Sequence, residues 1–214
     1  MLTLPKIAED IIRSAQGAVF TEQSKFQIPY IYDLIHQYRN VILRTTYEKT
    51  GRVHPLWLQQ YFPEFSKDLQ ESELYVKFEC PPPVVLDDQT DGFLYIGTLD
   101  KSCNFRKNQN RAELAMYQNH RVTKVRTKGK IKTIWSDGYL EVWGNPLQKE
   151  IRIDGVFMNP TLLPDYNMEV SEYPISGDDL TQLKQLIFNS QTEPMAKTPT
   201  DFKNNMVDNP TALK

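Results

Sequence analysis

The chain has 214 residues, 40% hydrophobic and 24% charged, with a net charge of −2, which fits one globular domain or two small ones around a true core. No apolar run approaches the about 18 residues that span a bilayer, and the start MLTLPKIAEDII lacks a signal peptide's basic and apolar regions. Cys80 and Cys103 are too few for a disulfide framework and lack metal-site spacing, so the expected setting is a cytoplasm-like compartment or a particle assembled there, with no membrane.

Leu4 to Gln16 reads as a first helix, with Thr3 as N-cap, Pro5 in the first turn and Ile7, Ile11, Ile12 and Ala15 as its apolar stripe. A longer helix is expected over about Pro29 to Lys49, where Ile28, Ile31, Ile35, Tyr38 and Ile42 recur at spacings of three and four, Leu34 and Val41 widen the stripe, and Thr50-Gly51 closes it. His36 on this helix is expected at the surface or between helices. The run His54 to Phe62, HPLWLQQYF, reads as a short helical plug packing the second helix against a sheet.

Glu73 to Cys80 alternates Leu74, Val76, Phe78 and Cys80 with polar neighbours and predicts a half-buried strand. Pro81-Pro82-Pro83 then enforces an extended path, and Phe93 to Gly97 predicts another strand after the Asp91-Gly92 turn. Asp87, Asp88 and Asp91 do not have calcium-loop spacing and read as an exposed acidic turn. From Lys101 to Lys132 ten basic residues face one acid, Glu113, so this segment carries +9 and the remainder −11.

Within the basic segment, Asn108 to His120 predicts a helix with a capping box at Asn110 and Glu113. Arg106, Lys107, Arg111, Arg121, Lys124, Arg126, Lys128 and Lys130 are its candidate DNA-facing or acidic-partner-facing residues. Phe105 and Tyr117 are its only aromatics, too few for a base-stacking surface, which favours a solvated face or a contact with an acidic protein.

Ile131 to Trp135 and Tyr139 to Trp143 are β-branched and aromatic runs joined by Asp137-Gly138, a short-hairpin turn. That register sets Trp135 opposite Leu140 and Thr133 opposite Val142 on the buried face. Lys132, Ile134, Tyr139, Glu141 and Trp143 share the other, mixed face, half covered by a neighbouring chain or left to water, so Tyr139 and Trp143 are candidate subunit-interface residues. Ile151 and Ile153 form a third strand of this sheet, ended by Asn159-Pro160.

Ser176 is the expected N-cap of a last helix, with Ile175 and Leu180 as its staple and Leu180, Leu183, Leu186 and Ile187 as its stripe, ending near Ser190. Gln191 to Lys214 has little apolar mass and is expected to be disordered or to order on another chain, with Phe202 as its interface candidate.

No phosphate loop, nucleophile elbow or zinc spacing among His36, His54 and His120 appears. The expectation is no enzyme, no catalytic residue, no metal and no cofactor. The fold class is α+β: a helical region over 1–72; an antiparallel β-sheet or sandwich over 73–175, with a basic helical insertion at about 101–130; a C-terminal helix over 176–190; and an extended tail over 191–214.

The order of these elements, with the phrases DGYLEVWG, IRIDGVFMNP, EYPIS and TPTDFKNN, resembles the virion structural proteins of crAss-like phages of Bacteroidetes, in the role of a head-to-tail connector, adaptor or collar ring. The resemblance covers most of the chain. It implies a homo-oligomeric ring, usually of twelve copies, in the virion neck or tail, assembled in the host bacterial cytoplasm. The implied partners are the portal protein, other neck and tail rings, and genome DNA passing through the lumen without sequence-specific binding. The alternative reading, of another class, is a nucleic-acid-binding regulatory module that uses residues 101–132.

Overall fold

A computed structural model of the chain describes residues 2–16, 28–64, 75–87, 90–107, 114, 131–144 and 150–196, the side chains of 15, 16, 106 and 191–196 excepted. Helix α1 spans Leu4–Gln16 and α2 spans Ile28–Thr50. A 3₁₀ turn, Pro55–Trp57, leads into strand β1, Gln59–Tyr61. The later strands are β2 Tyr75–Glu79, β3 Phe93–Gly97, β4 Arg106–Lys107, β5 Lys132–Ser136, β6 Tyr139–Trp143 and β7 Arg152–Gly155, and helix α3 spans Gly177–Ala196. The class is α+β, as expected.

The hairpin register is the expected one, with Trp135 paired to Leu140 and Thr133 to Val142. Asp137 and Gly138 both take positive φ, 54° and 86°, as a tight turn matched to strand twist requires. The third strand, however, does not join the hairpin's sheet. β6 already has β5 on one side and β2 on the other, so β7 has no edge to pair with there. It becomes instead the centre of a second sheet, β1-β7-β3, antiparallel throughout. The hairpin sheet runs β2-β6-β5-β4, and its β4 edge is parallel to β5.

The two sheets share one core, in which Val76, Phe78, Leu140 and Val142 meet Tyr61, Phe93, Ile96, Ile153 and Phe157. Removing such side chains from water is worth roughly 2 kcal/mol each. A second core joins the three helices: Leu4, Ile7 and Ile11 of α1, Ile31, Ile35 and Ile42 of α2, and Leu183 and Ile187 of α3. A third, smaller cluster of Leu43, Trp57, Val84, Leu86 and Val156 ties α2 to the β-region. Here Trp57 does act as the expected plug, but Leu56, Leu58 and Phe62 beside it are 57%, 38% and 44% exposed, and Gln59–Tyr61 is a strand.

The helices match their local signals closely. The Thr3 carbonyl accepts from the Ile7 N–H at 3.1 Å, and Gly51 donates to the Tyr47 carbonyl at 2.7 Å. Ser176 caps α3, its Oγ accepting from the Asp179 N–H at 3.2 Å while its hydroxyl hydrogen-bonds the Asp179 carboxylate. The helix runs six residues past its expected end at Ser190, to Ala196; Gln191 and Glu193 are good helix formers, whereas Pro194 within the extension removes an N–H donor and works against it. The first six residues of the expected tail are therefore helical.

The buried face of α2 differs from its hydrophobic stripe. Ile28 and Val41 are each 51% exposed, whereas His36 and Arg39 are buried. Arg39 follows Ile35 by four residues and precedes Ile42 by three, which sets it on the inward line of the helix.

Candidate assembly surfaces

At the junction of helices and sheets, Arg39 is 1% exposed and is held mainly by carbonyls. Its Nε donates to the Pro174 carbonyl at 2.8 Å, and one terminal nitrogen donates to the Phe157 carbonyl at 3.0 Å and to Asn40 Oδ1 at 3.3 Å. The guanidinium lies over the Tyr173 ring, 5.7 Å from its centroid. Burial pushes its pKa down, opposed by Tyr173 and Tyr166, and a guanidinium stays charged regardless.

His36 completes the cluster, its Nδ1 at 2.8 Å from the Tyr173 hydroxyl. Burial, and then the charge of Arg39, lower its pKa to about 4 against a weaker pull from Asp33, so it is neutral at pH 7. Expected at the surface or between helices, His36 is instead buried against Tyr173 in the non-helical segment that precedes α3. This polar node aligns the helical layer and the chain from Phe157 to Ile175 with the sheets, and so sets the relative position of every surface described below.

The outer face of the hairpin sheet is aromatic. Trp143 stacks on Tyr75 across the β2–β6 pair, centroids 4.3 Å apart, and Lys77 lies 5.7 Å from the Tyr139 ring centroid. Tyr139 and Trp143 are both half-buried. Glu141, expected on a face half covered or left to water, is 1% exposed, and its carboxylate accepts from Trp143 Nε1 at 3.1 Å. The hairpin's mixed pattern places Glu141 on this face correctly but carries no information on what covers it.

Of the basic candidates, Arg111, Arg121, Lys124, Arg126, Lys128 and Lys130 lie outside the described residues, as does Phe202. Arg106 sits on β4, paired to Lys132. Lys107 is bound to Asp91 at 2.5 Å and covers the Phe93 ring at 5.6 Å. Lys101 binds Asp154 at 2.8 Å, and Arg152 reaches the same carboxylate at 2.7 Å. Burial raises the pKa of Asp154, but these two cations outweigh it and hold the group below the ordinary carboxylate range. Phe105 is 3% exposed and belongs to the core, so it offers no stacking face.

Asp87 and Asp91 build the acidic turn from within, accepting from the Thr90 and Phe93 N–H groups at 2.6 and 3.1 Å. Cys80 is buried, which pushes its thiol pKa up, and Cys103 is exposed.

A cavity of about 250 Å³ opens between residues 55–60 and 163–175. Leu56, Leu58, Tyr166 and Ile175 form apolar wall, and Asp165 and Glu172 stand among its lining. Gln59 Oε1 and the Tyr166 hydroxyl, both on this wall, are buried and have no hydrogen-bond partner among the described residues. Neither this cavity nor the polar node was anticipated. Arg39 is recoverable from its place on the α2 stripe, and Tyr75 from its alternation with Lys77 and Glu79; the cavity has no local signal, because it is formed by segments a hundred residues apart.

Over residues 6–210 the chain matches the family model described as phage tail ring protein 2, of the crAss ring group. No curated protein matches the chain.

Proposed function

The chain belongs to the phage tail ring protein 2 family, a ring component of the virion of crAss-like phages, and from that premise we propose that it is a non-enzymatic connector subunit near the portal. Copies of the chain, twelve in the reading adopted here, close a ring whose lumen passes genome DNA, and its axial partners are the portal and the other neck and tail rings. The family match over 6–210 is the observation that carries this reading.

Physical support comes from the unlikeness of the exposed surfaces. A cyclic heterologous contact needs two different patches on each subunit. The open cavity beside Leu56 and Leu58, and the C-terminal segment that contains Phe202, differ in chemistry and are candidates for such a pair. The +9 charge of residues 101–132 against −11 elsewhere suits a basic wall toward DNA and an acidic wall away from it. Among the described residues no helix is long and apolar enough to cross a membrane.

The test is an electron cryomicroscopy map of the purified virion. A ring of this chain next to the portal, with the 101–132 segment toward the lumen, is expected. A ring remote from the portal, or a symmetry other than twelve, would overturn the corresponding part, and absence of the chain from infectious particles would overturn the whole.

A further inference from the structure

We propose that the cavity between residues 55–60 and 163–175 is the acceptor site for the C-terminal segment of a second copy of this chain, with Phe202 of the incoming segment as the anchor. The inference rests on the ring reading above and adds to it where neighbouring subunits lock together.

The chemistry of the wall selects the occupant. Leu56 and Leu58 are 57% and 38% exposed, large apolar side chains beside a cavity of about 250 Å³, a combination that marks a place for an apolar group from outside. Residues 197–214, KTPTDFKNNMVDNPTALK, contain one aromatic side chain, Phe202. Aromatic anchors filling a pocket dominate the energetics of protein interfaces.

Charge and hydrogen bonding agree with this choice. The cavity lining includes Asp165 and Glu172 and no Lys or Arg; the segment has Asp201 before Phe202 and Lys203 after it, and over residues 197–214 three Lys stand against two Asp, a net +1. Gln59 Oε1 and the Tyr166 hydroxyl are buried without a hydrogen-bond partner among the described residues, and they are reached only if those side chains turn outward as the segment docks. The backbone N–H groups and the Asn204-Asn205 amides of the segment then supply the partners.

Length permits delivery to a neighbour. Helix α3 ends at Ala196 and the anchor Phe202 follows six residues later, so an extended chain carries it up to about 20 Å from the helix end, and the acceptor cavity of the neighbour lies within that distance. Donor segment and acceptor cavity are different surfaces of one chain, each used once per contact, so repeated pairing propagates head to tail and gives a ring where the rotation between neighbours closes. Folding the segment back onto its own cavity would consume both surfaces and leave nothing to propagate.

The experiment uses the full-length chain with Cys103→Ser, which removes the exposed thiol, plus Gln60→Cys on the cavity wall and Asp201→Cys beside the anchor, so that Leu58 and Phe202 are both kept. Both new positions lie outside the described cores. Ring formation is first checked by mass photometry, and a short bismaleimide is then added. A ladder of covalent multimers in the double variant, absent from either single variant, is expected. Rings without the ladder, or a crosslink confined within one chain, overturn the acceptor site; a ladder without rings faults only the ring reading. As a second measurement, Phe202→Ala should raise the concentration needed for ring assembly roughly tenfold or more, and unchanged assembly also overturns the proposal.

Discussion

Arg39 on α2 donates from Nε to the carbonyl of Pro174 at 2.8 Å, across 135 positions of chain, and the same guanidinium bonds the Phe157 carbonyl at 3.0 Å. One side chain thereby ties the helical layer to both ends of the segment that leaves β7 and enters α3. A buried cation is expensive, and here carbonyl dipoles and the Tyr173 ring offset part of the loss of water, one terminal nitrogen having no hydrogen-bond partner among the described residues.

Arg39→Ala removes the donors and leaves two buried carbonyls unpaired beside a void. The expected loss is about 3 to 5 kcal/mol, read from urea midpoints. Arg39→Met refills most of the volume and drops the desolvation cost of the charge, so it should lose clearly less than Arg39→Ala. Equal losses for the two would mean that volume is not what separates them.

The pH dependence follows from His36. Its native pKa, about 4, lies below its ordinary 6.5, so the unfolded chain binds the proton first as pH falls. Stability is unaffected above about pH 6.5, declines between there and pH 4, and the loss levels off below, reaching up to about 3 kcal/mol. Asp33 opposes the shift, Arg39 favours it, and Tyr173 holds the ring. Asp154, held below the ordinary 3.8, adds a separate loss only below that pH. Denaturation midpoints of the wild type and His36→Gln at pH 7, 5.5 and 4.5 should diverge in slope, the variant being flatter; parallel slopes would remove His36 as the source.

Two glycines should respond differently to alanine. At Gly138 the backbone needs φ of +86° but a Cβ would meet nothing within 4 Å, so Gly138→Ala should cost about 1 to 2 kcal/mol from backbone strain alone. At Gly97 a Cβ would run into the Cys103 carbonyl oxygen and the Tyr95 phenol. That phenol is itself fixed by the Thr98 and Cys103 carbonyls, each at 3.0 Å, so Gly97→Ala should cost about 3 kcal/mol. Thermal melts of both variants decide the order.

Truncation after Ala196 should leave the thermal midpoint within experimental scatter, because the last buried anchors of α3, Leu183 and Ile187, precede the cut. The same truncation should abolish incorporation into particles, scored by immunoblot of purified virions. Wild-type incorporation would count against any assembly role for residues 197–214.

Much of the fold is legible from short stretches of sequence. Both N-terminal helices, the Ser176 cap and the β5–β6 register are set by contacts within a few residues: capping hydrogen bonds, three- and four-residue periodicity, and a turn that needs two positive φ angles. The family likewise is readable from phrases along the chain. The candidate assembly site is much less so: Phe202 and the tail stand out by composition, whereas the cavity that would receive them is made by segments 55–60 and 163–175, neither distinctive alone.

What only the tertiary structure decided are the partnerships between distant segments. Alternation in Ile151 to Gly155 marks a strand but cannot say that β6 is already flanked and that β7 must centre another sheet. Periodicity on α2 cannot say that Arg39 and His36 face inward while Ile28 and Val41 face out, because that depends on carbonyls at Phe157 and Pro174 more than a hundred residues away. Local physics sets which elements form, and the burial of shared surface, which is nonlocal and has no period, sets which of them meet.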